Sequence, residues 1–94
     1  MNKKVIEWAK ERGLLDNPDT KAQTLKVMEE AGELCRAILK ENVHDQIDAI
    51  GDIQVTLIIL SEQLGLNYEE CLKSAYTVIK NRTGELSNGT FIKH

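Results

Sequence analysis

The chain has one proline, four aromatic residues, two cysteines and two histidines among its 94 residues. With a single proline and six glycines, little interrupts a helix, so the chain is expected to be largely helical. Cys35 and Cys71 lie far apart with no Cys-x-x-Cys or adjoining histidine, which excludes a zinc knuckle and a disulfide framework. Both read as buried thiols in a reducing compartment. Neither His44 nor His94 stands three residues after a glutamate, which argues against a di-iron carboxylate bundle. The longest uninterrupted apolar stretch, Leu57 to Leu60, is far too short to span a bilayer, and Met1 to Trp8 lacks the apolar run of a signal peptide. A cytoplasmic protein without a membrane partner is expected. Positive charge is also scarce: a net charge of −3 and a pI near 5.3 argue against a nucleic-acid partner, whose phosphates call for a basic face. No helix offers such a face for a helix-turn-helix reading. Walker A, nucleophile-elbow, HExxH and GxGxxG patterns are absent.

What remains is 41% hydrophobic and 29% charged, a globular composition too apolar for disorder. The length implies one small domain spanning 1–94, with a core at about 18–83 and a tail at 84–94, and a monomer of this size would be marginal. Val5, Ile6, Trp8 and Ala9 among charged residues predict a helix over 3–12, stopped by Gly13. Pro18 and the Thr20/Gln23 capping-box spacing mark the start of a second helix over 19–41. Its apolar arc holds Leu25, Met28, Leu34, Cys35 and Leu39, and its polar arc Gln23, Lys26, Glu29, Glu30, Glu33, Arg36 and Lys40. Asn42-Val43-His44 reads as a tight connection, so a third helix over 45–64 runs antiparallel to the second. Ile47, Ile50, Ile53, Val55 and Leu57 to Leu60 surround that helix, which predicts burial on most sides. Gly65 ends it, and Asn67 with Glu70 opens a fourth helix over 68–82. The tail is expected to be a loop or short extended segment turning at Asn88-Gly89. The expected fold class is all-α, an antiparallel bundle of about four helices.

The carboxylates carry the chemistry. Glu30 and Glu33, at i and i+3, share one patch of the second helix, and Gly32 between them clears space. Asp45, Asp48 and Asp52 fall in a narrow sector of the third helix that continues into Val55 and Ile59. Carboxylates beside apolar surface repel one another and lose hydration unless a cation compensates, and this helix has no Lys or Arg. The competing reading is an acidic first turn favouring the helix dipole, which suits Asp45 and Asp48 better than Asp52. Oxygen-only ligands select a hard cation such as Mg2+, with Mn2+ able to substitute, and hydrolysis of a phosphoanhydride follows. Lys80, Asn81 and Arg82 read either as a basic helix end or as phosphate donors. Trp8 reads as a core anchor or as a stacking surface for a base.

Gln23-x-x-Lys26-x-x-Glu29-Glu30-x-x-Glu33-Leu34, followed by Asp48-Ala49-Ile50-Gly51-Asp52 and an apolar run, resembles the MazG-like nucleotide pyrophosphohydrolases of the all-α NTP pyrophosphatase superfamily. The similarity covers roughly residues 20 to 83, and the short chain looks like the compact phage and Gram-positive type. It implies Mg2+-dependent hydrolysis of a nucleoside triphosphate to monophosphate and pyrophosphate by a homodimer or homotetramer. It further implies Glu30 and Glu33 as metal ligands, Glu29 as a further ligand or water-activating carboxylate, and Asp52 as a ligand from the facing helix. Lys26, Lys80, Asn81 and Arg82 become candidates for phosphate or sugar, and Trp8 for the base. The departure is at Ala49, where the family's ExxD motif has its first acid; Asp48 or Asp45 must supply that carboxylate. Asp48, at i, i+4 from Asp52, is the expected substitute. The alternative function is a non-catalytic nucleotide-binding or protein-interaction module.

Overall fold

A computed structural model describes all residues 1–94. Four helices run in order, α1 (Asn2–Glu11), α2 (Thr20–Leu39), α3 (Val43–Gln63) and α4 (Tyr68–Ile79), followed by a hairpin of β1 (Gly84–Ser87) and β2 (Thr90–Lys93). The all-α bundle expected from the sequence is present, and no single helix is long and apolar enough to cross a membrane.

Each helix boundary has a local cause. Asp19, one residue before the expected cap, takes the N-cap of α2 by accepting a 3.0 Å hydrogen bond from the Ala22 amide. Gln23 is thereby released from any capping box and donates instead to the Thr56 carbonyl of α3 at 3.1 Å. Asn42 caps α3 through the Asp45 amide, so Val43 and His44 are already helical and the connection shrinks to Lys40–Asn42, turned by Glu41 at φ 54°. Asn67 caps α4 through Glu70 as expected. That helix ends at Ile79 rather than 82, leaving Asn81 and Arg82 beyond the last turn. The tail forms an antiparallel hairpin with Ser87 paired to Thr90, and its two-residue turn fits because Asn88 and Gly89 both hold positive φ. A Cβ at Gly84 would run into the Phe91 ring and the Ile92 carbonyl, so the strand start requires glycine.

Packing is concentrated on α3. It pairs along α2, and α1 lies against it with Ala9 fully buried. Ala37 and Ala49 are buried on facing helices, and these small side chains allow close approach near the α2–α3 connection. Farther along α3, Thr56, Ile58 and Ile59 are buried. Gln63 closes that end by donating to the Leu14 carbonyl at 3.0 Å.

The expected burial pattern holds on only part of this surface. Only seven residues are buried, and α4, bent 104° from α3, buries none. On α2 the buried residues are Glu30 and Ala37, whereas Leu25, Met28, Ile38 and Leu39 of the apolar arc are exposed. Cys35 and Cys71, expected inside, are exposed for the same reason: nothing in the chain packs on those faces. Ile47 and Ile50 are likewise open, so the first half of α3 is covered on one side only. The accessible surface is 7387 Å2, against roughly 5,500 Å2 for a compact monomer of this mass. The radius of gyration, 15.8 Å, also exceeds the roughly 12 Å of a compact chain of this length.

Candidate metal centre and adjoining cavities

The α2–α3 seam brings together Glu30, Glu33 and Asp52, with one carboxylate oxygen from each lying within 4.8 Å of the others. Glu30 and Glu33 meet because i, i+3 spacing stacks them on α2; Asp52 reaches them because the short connection sets α3 antiparallel alongside. Glu33 and Asp52 are exposed, while Glu30 is buried at 7% relative exposure. Its Oε1 lies 3.7 Å from Lys26 Nζ, and no protein group donates to its Oε2. Burial, then the charge and hydrogen bonding of Glu33, then the charge of Asp52 push the Glu30 carboxyl above its ordinary value, with Lys26 opposing. The Lys26 ammonium is itself pushed up by its hydrogen bond to Glu29 and by the charges of Glu29 and Glu30.

Three convergent carboxylates, one with a buried, unpartnered oxygen, fit a hard divalent cation by charge and donor type. Glu30, Glu33 and Asp52 are the residues that would hold it. Glu29 and Asp48 stay outside this triad. Glu29 is exposed and bonded to Lys26 at 3.4 Å; Asp48, one turn before Asp52, points to His44 Nε2 at 3.5 Å and is 60% exposed. Ala49, at the position of the family's missing acid, is buried in the seam. Gly32 is not needed for space within one chain, since a Cβ there would meet only Arg36 Nη1 at 3.8 Å.

A cavity of about 550 Å3 opens on one side of the triad. Glu30 and Asp52 form its acidic end, and Trp8, Leu14, Val55 and Ile59 supply apolar wall. Trp8 is therefore no enclosed core anchor: it is 45% exposed, lines the cavity, and carries the Arg12 guanidinium 4.2 Å from its ring centroid. The one cation in the lining is Lys26, and the α1–α2 connection contributes Asp16 and Asp19. A second cavity, about 380 Å3, lies on the other side, where Glu33 and Asp52 adjoin Arg36, Lys40, Asp45 and Asp48. Lys80, Asn81 and Arg82 are exposed and line neither cavity, so a single chain does not bring them to the triad.

The sequence reading missed Gln63 and the 13–19 connection as walls of the first cavity, and Arg36 and Lys40 as walls of the second. Arg36 carried a usable signal, since i, i+3 spacing places it beside Glu33; Gln63 carried none, because its place depends on the path of the connection.

The structure is an all-α fold with a carboxylate triad, able to hold a metal ion, between paired helices. The family described as phosphoribosyl-ATP pyrophosphohydrolase matches residues 9–77, and the chain belongs to it, within the MazG-like all-α NTP pyrophosphatase superfamily. The chain is also similar to an uncharacterized 18.2 kDa protein in the rep-hol intergenic region of Haemophilus phage HP1, 38% identical over 61 residues. That match takes in 65% of this chain and only 37% of the phage protein. No solved structure matches the chain.

Proposed function

We propose that the chain, a single MazG-like unit over 1–94, hydrolyses nucleoside triphosphates between the α and β phosphates, releasing nucleoside monophosphate and pyrophosphate with Mg2+ as cofactor. The observation that carries this reading is the triad at the acidic end of the Trp8 cavity. Bound there, the cation would polarise a phosphoryl group and lower the pKa of the attacking water. The chain's own part is to hold the nucleoside against Trp8, Val55 and Ile59, so that the phosphates fall beside Glu30, Glu33 and Asp52. Glu29, exposed and paired with Lys26 one residue before Glu30, is the carboxylate left free of the triad to accept a proton from water.

The same cavity favours a plain nucleoside triphosphate over phosphoribosyl-ATP. The cavity sets Asp16, Asp19, Glu30 and Asp52 against Lys26 alone, so its lining offers no free cation for the additional ribosyl phosphate of phosphoribosyl-ATP. A phosphate desolvated there without a partner would be repelled.

The working form is a homodimer or homotetramer. The surface in excess of a compact monomer is about 1,900 Å2 per chain, on the scale that obligate assemblies cover. Assembly is also what would bring Lys80, Asn81 and Arg82 toward a triad. Cytoplasmic action on free nucleotides, without nucleic acid, completes the reading.

The test is incubation with each common ribo- and deoxyribonucleoside triphosphate and Mg2+, measuring monophosphate and pyrophosphate together. Release of both, abolished by EDTA, is expected. Nucleotide binding by calorimetry with no release from any substrate would replace this reading with a non-catalytic nucleotide-binding module, which the buried Ala49 favours.

A further inference from the structure

Resting on the proposed hydrolysis, we infer that the second cavity is a binding subsite for the pyrophosphate end of the substrate, held by Arg36 and Lys40. Asp52 borders both cavities, Glu30 the first and Glu33 the second, so the triad stands between them. The two sides differ in kind. The first sets an apolar wall and four carboxylates, Asp16, Asp19, Glu30 and Asp52, against one cation, Lys26, whose ammonium is already engaged by Glu29 and Glu30. In the second, Arg36 and Lys40 line the space, yet neither belongs to any of the chain's four ion pairs, although four carboxylates share the lining. A nucleotide crossing the triad therefore has one favourable polarity: nucleoside toward Trp8, terminal phosphates toward Arg36 and Lys40.

The helix dipole accounts for cations near the end of α2. It does not account for their lining a cavity walled by Glu33 and Asp52. Room for a diphosphate arises because Ala37 and Ala49 line the same cavity, and the alanine that removes the family's acid removes one negative charge from it. Four carboxylates against two cations leave a net −2 in the lining; a divalent cation on the triad cancels that, so pyrophosphate is expected to bind only together with the metal. Arg36 offers a planar fork for two phosphate oxygens and Lys40 a point charge. Both side chains stand on or next to α2, the helix of Glu33, so the subsite needs no second copy.

Calorimetric titration with inorganic pyrophosphate, with and without Mg2+, tests this directly, with a nucleoside monophosphate as control. Wild type should bind pyrophosphate only with Mg2+. Arg36→Gln/Lys40→Gln should weaken that binding by about tenfold to a hundredfold, the scale of lost charge-assisted hydrogen bonds, with monophosphate binding and the helical spectrum unchanged. Single Arg36→Lys should retain part of the affinity. The inference is overturned if wild type binds no pyrophosphate with Mg2+, if the double variant binds it as wild type does, or if monophosphate binding falls equally. Pyrophosphate binding that depends on Arg36 in a protein that hydrolyses no triphosphate would sink the proposed activity and leave the subsite standing.

Discussion

One turn of α3 separates Asp48 from Asp52, and the two aspartates have different surroundings. Asp52 meets Glu30 and Glu33 across the seam, whereas Asp48 stands in solvent beside His44. The sequence places them in one sector, and helix periodicity alone cannot distinguish them. The helix opposite does: α2 presents two glutamates level with Asp52, one of them buried, while its acid-free turn with Arg36, Ala37 and Lys40 shares the second cavity with Asp48. The same residue type is thus a ligand candidate in one turn and a cavity rim in the next.

The contrast is broken most severely at the triad. Asp52→Asn or Glu33→Ala should lower kcat/KM by roughly a thousandfold, the scale of losing a principal electrostatic group, with the circular dichroism spectrum retained. Trp8→Ala should act on binding, raising KM by about tenfold with kcat little changed, as expected for loss of uniform contact with one aromatic wall. At Asp48, the sequence reading expects a heavy loss on Asp48→Asn and almost none on Asp45→Asn. The exposed position of Asp48 reduces the first effect to within about tenfold, still larger than the second because Asp48 lies one turn nearer the triad; a larger loss from Asp45→Asn would reverse the assignment.

A stability measurement sharpens the same comparison without substrate. Glu30 has its carboxyl raised above 4.5, so its contribution to stability is full below that value and is lost as pH rises through the raised value of the folded state. In the metal-free protein, the stability advantage of Glu30→Gln over wild type should therefore grow as pH increases through that window, read as the difference between their urea midpoints. Mg2+ at neutral pH should raise the wild-type midpoint and leave Glu30→Gln nearly unmoved.

The helices were legible because capping and apolar spacing are local properties. Asn67 with Glu70, Gly65, and the i, i+3 pair of Glu30 and Glu33 act where the sequence puts them. Asp19 displaced Thr20 as cap because a carboxylate in extended backbone reached the Ala22 amide first in the chain. Which face of α2 is covered was not legible: amphipathicity predicted burial of Leu25, Met28 and Leu39, but the chain covers Glu30 and Ala37 and leaves those residues open. An apolar arc records that something packs on it, not whether the covering surface belongs to the same chain. The burial expected of Cys35 and Cys71 failed on that same point. Of the four metal ligands expected from the sequence, Glu30, Glu33 and Asp52 converge and Asp48 does not; that separation, and the two cavities beside the triad, arise from seam geometry with no local code.

Titration with Mn2+, followed by the loss of its free-ion electron paramagnetic resonance signal, tests the triad most directly. Wild type and Asp48→Asn should each take up the ion at a saturable site, and Asp52→Asn should not. Equal uptake by Asp52→Asn, or uptake lost only in Asp48→Asn, would contradict a metal centre built on Glu30, Glu33 and Asp52.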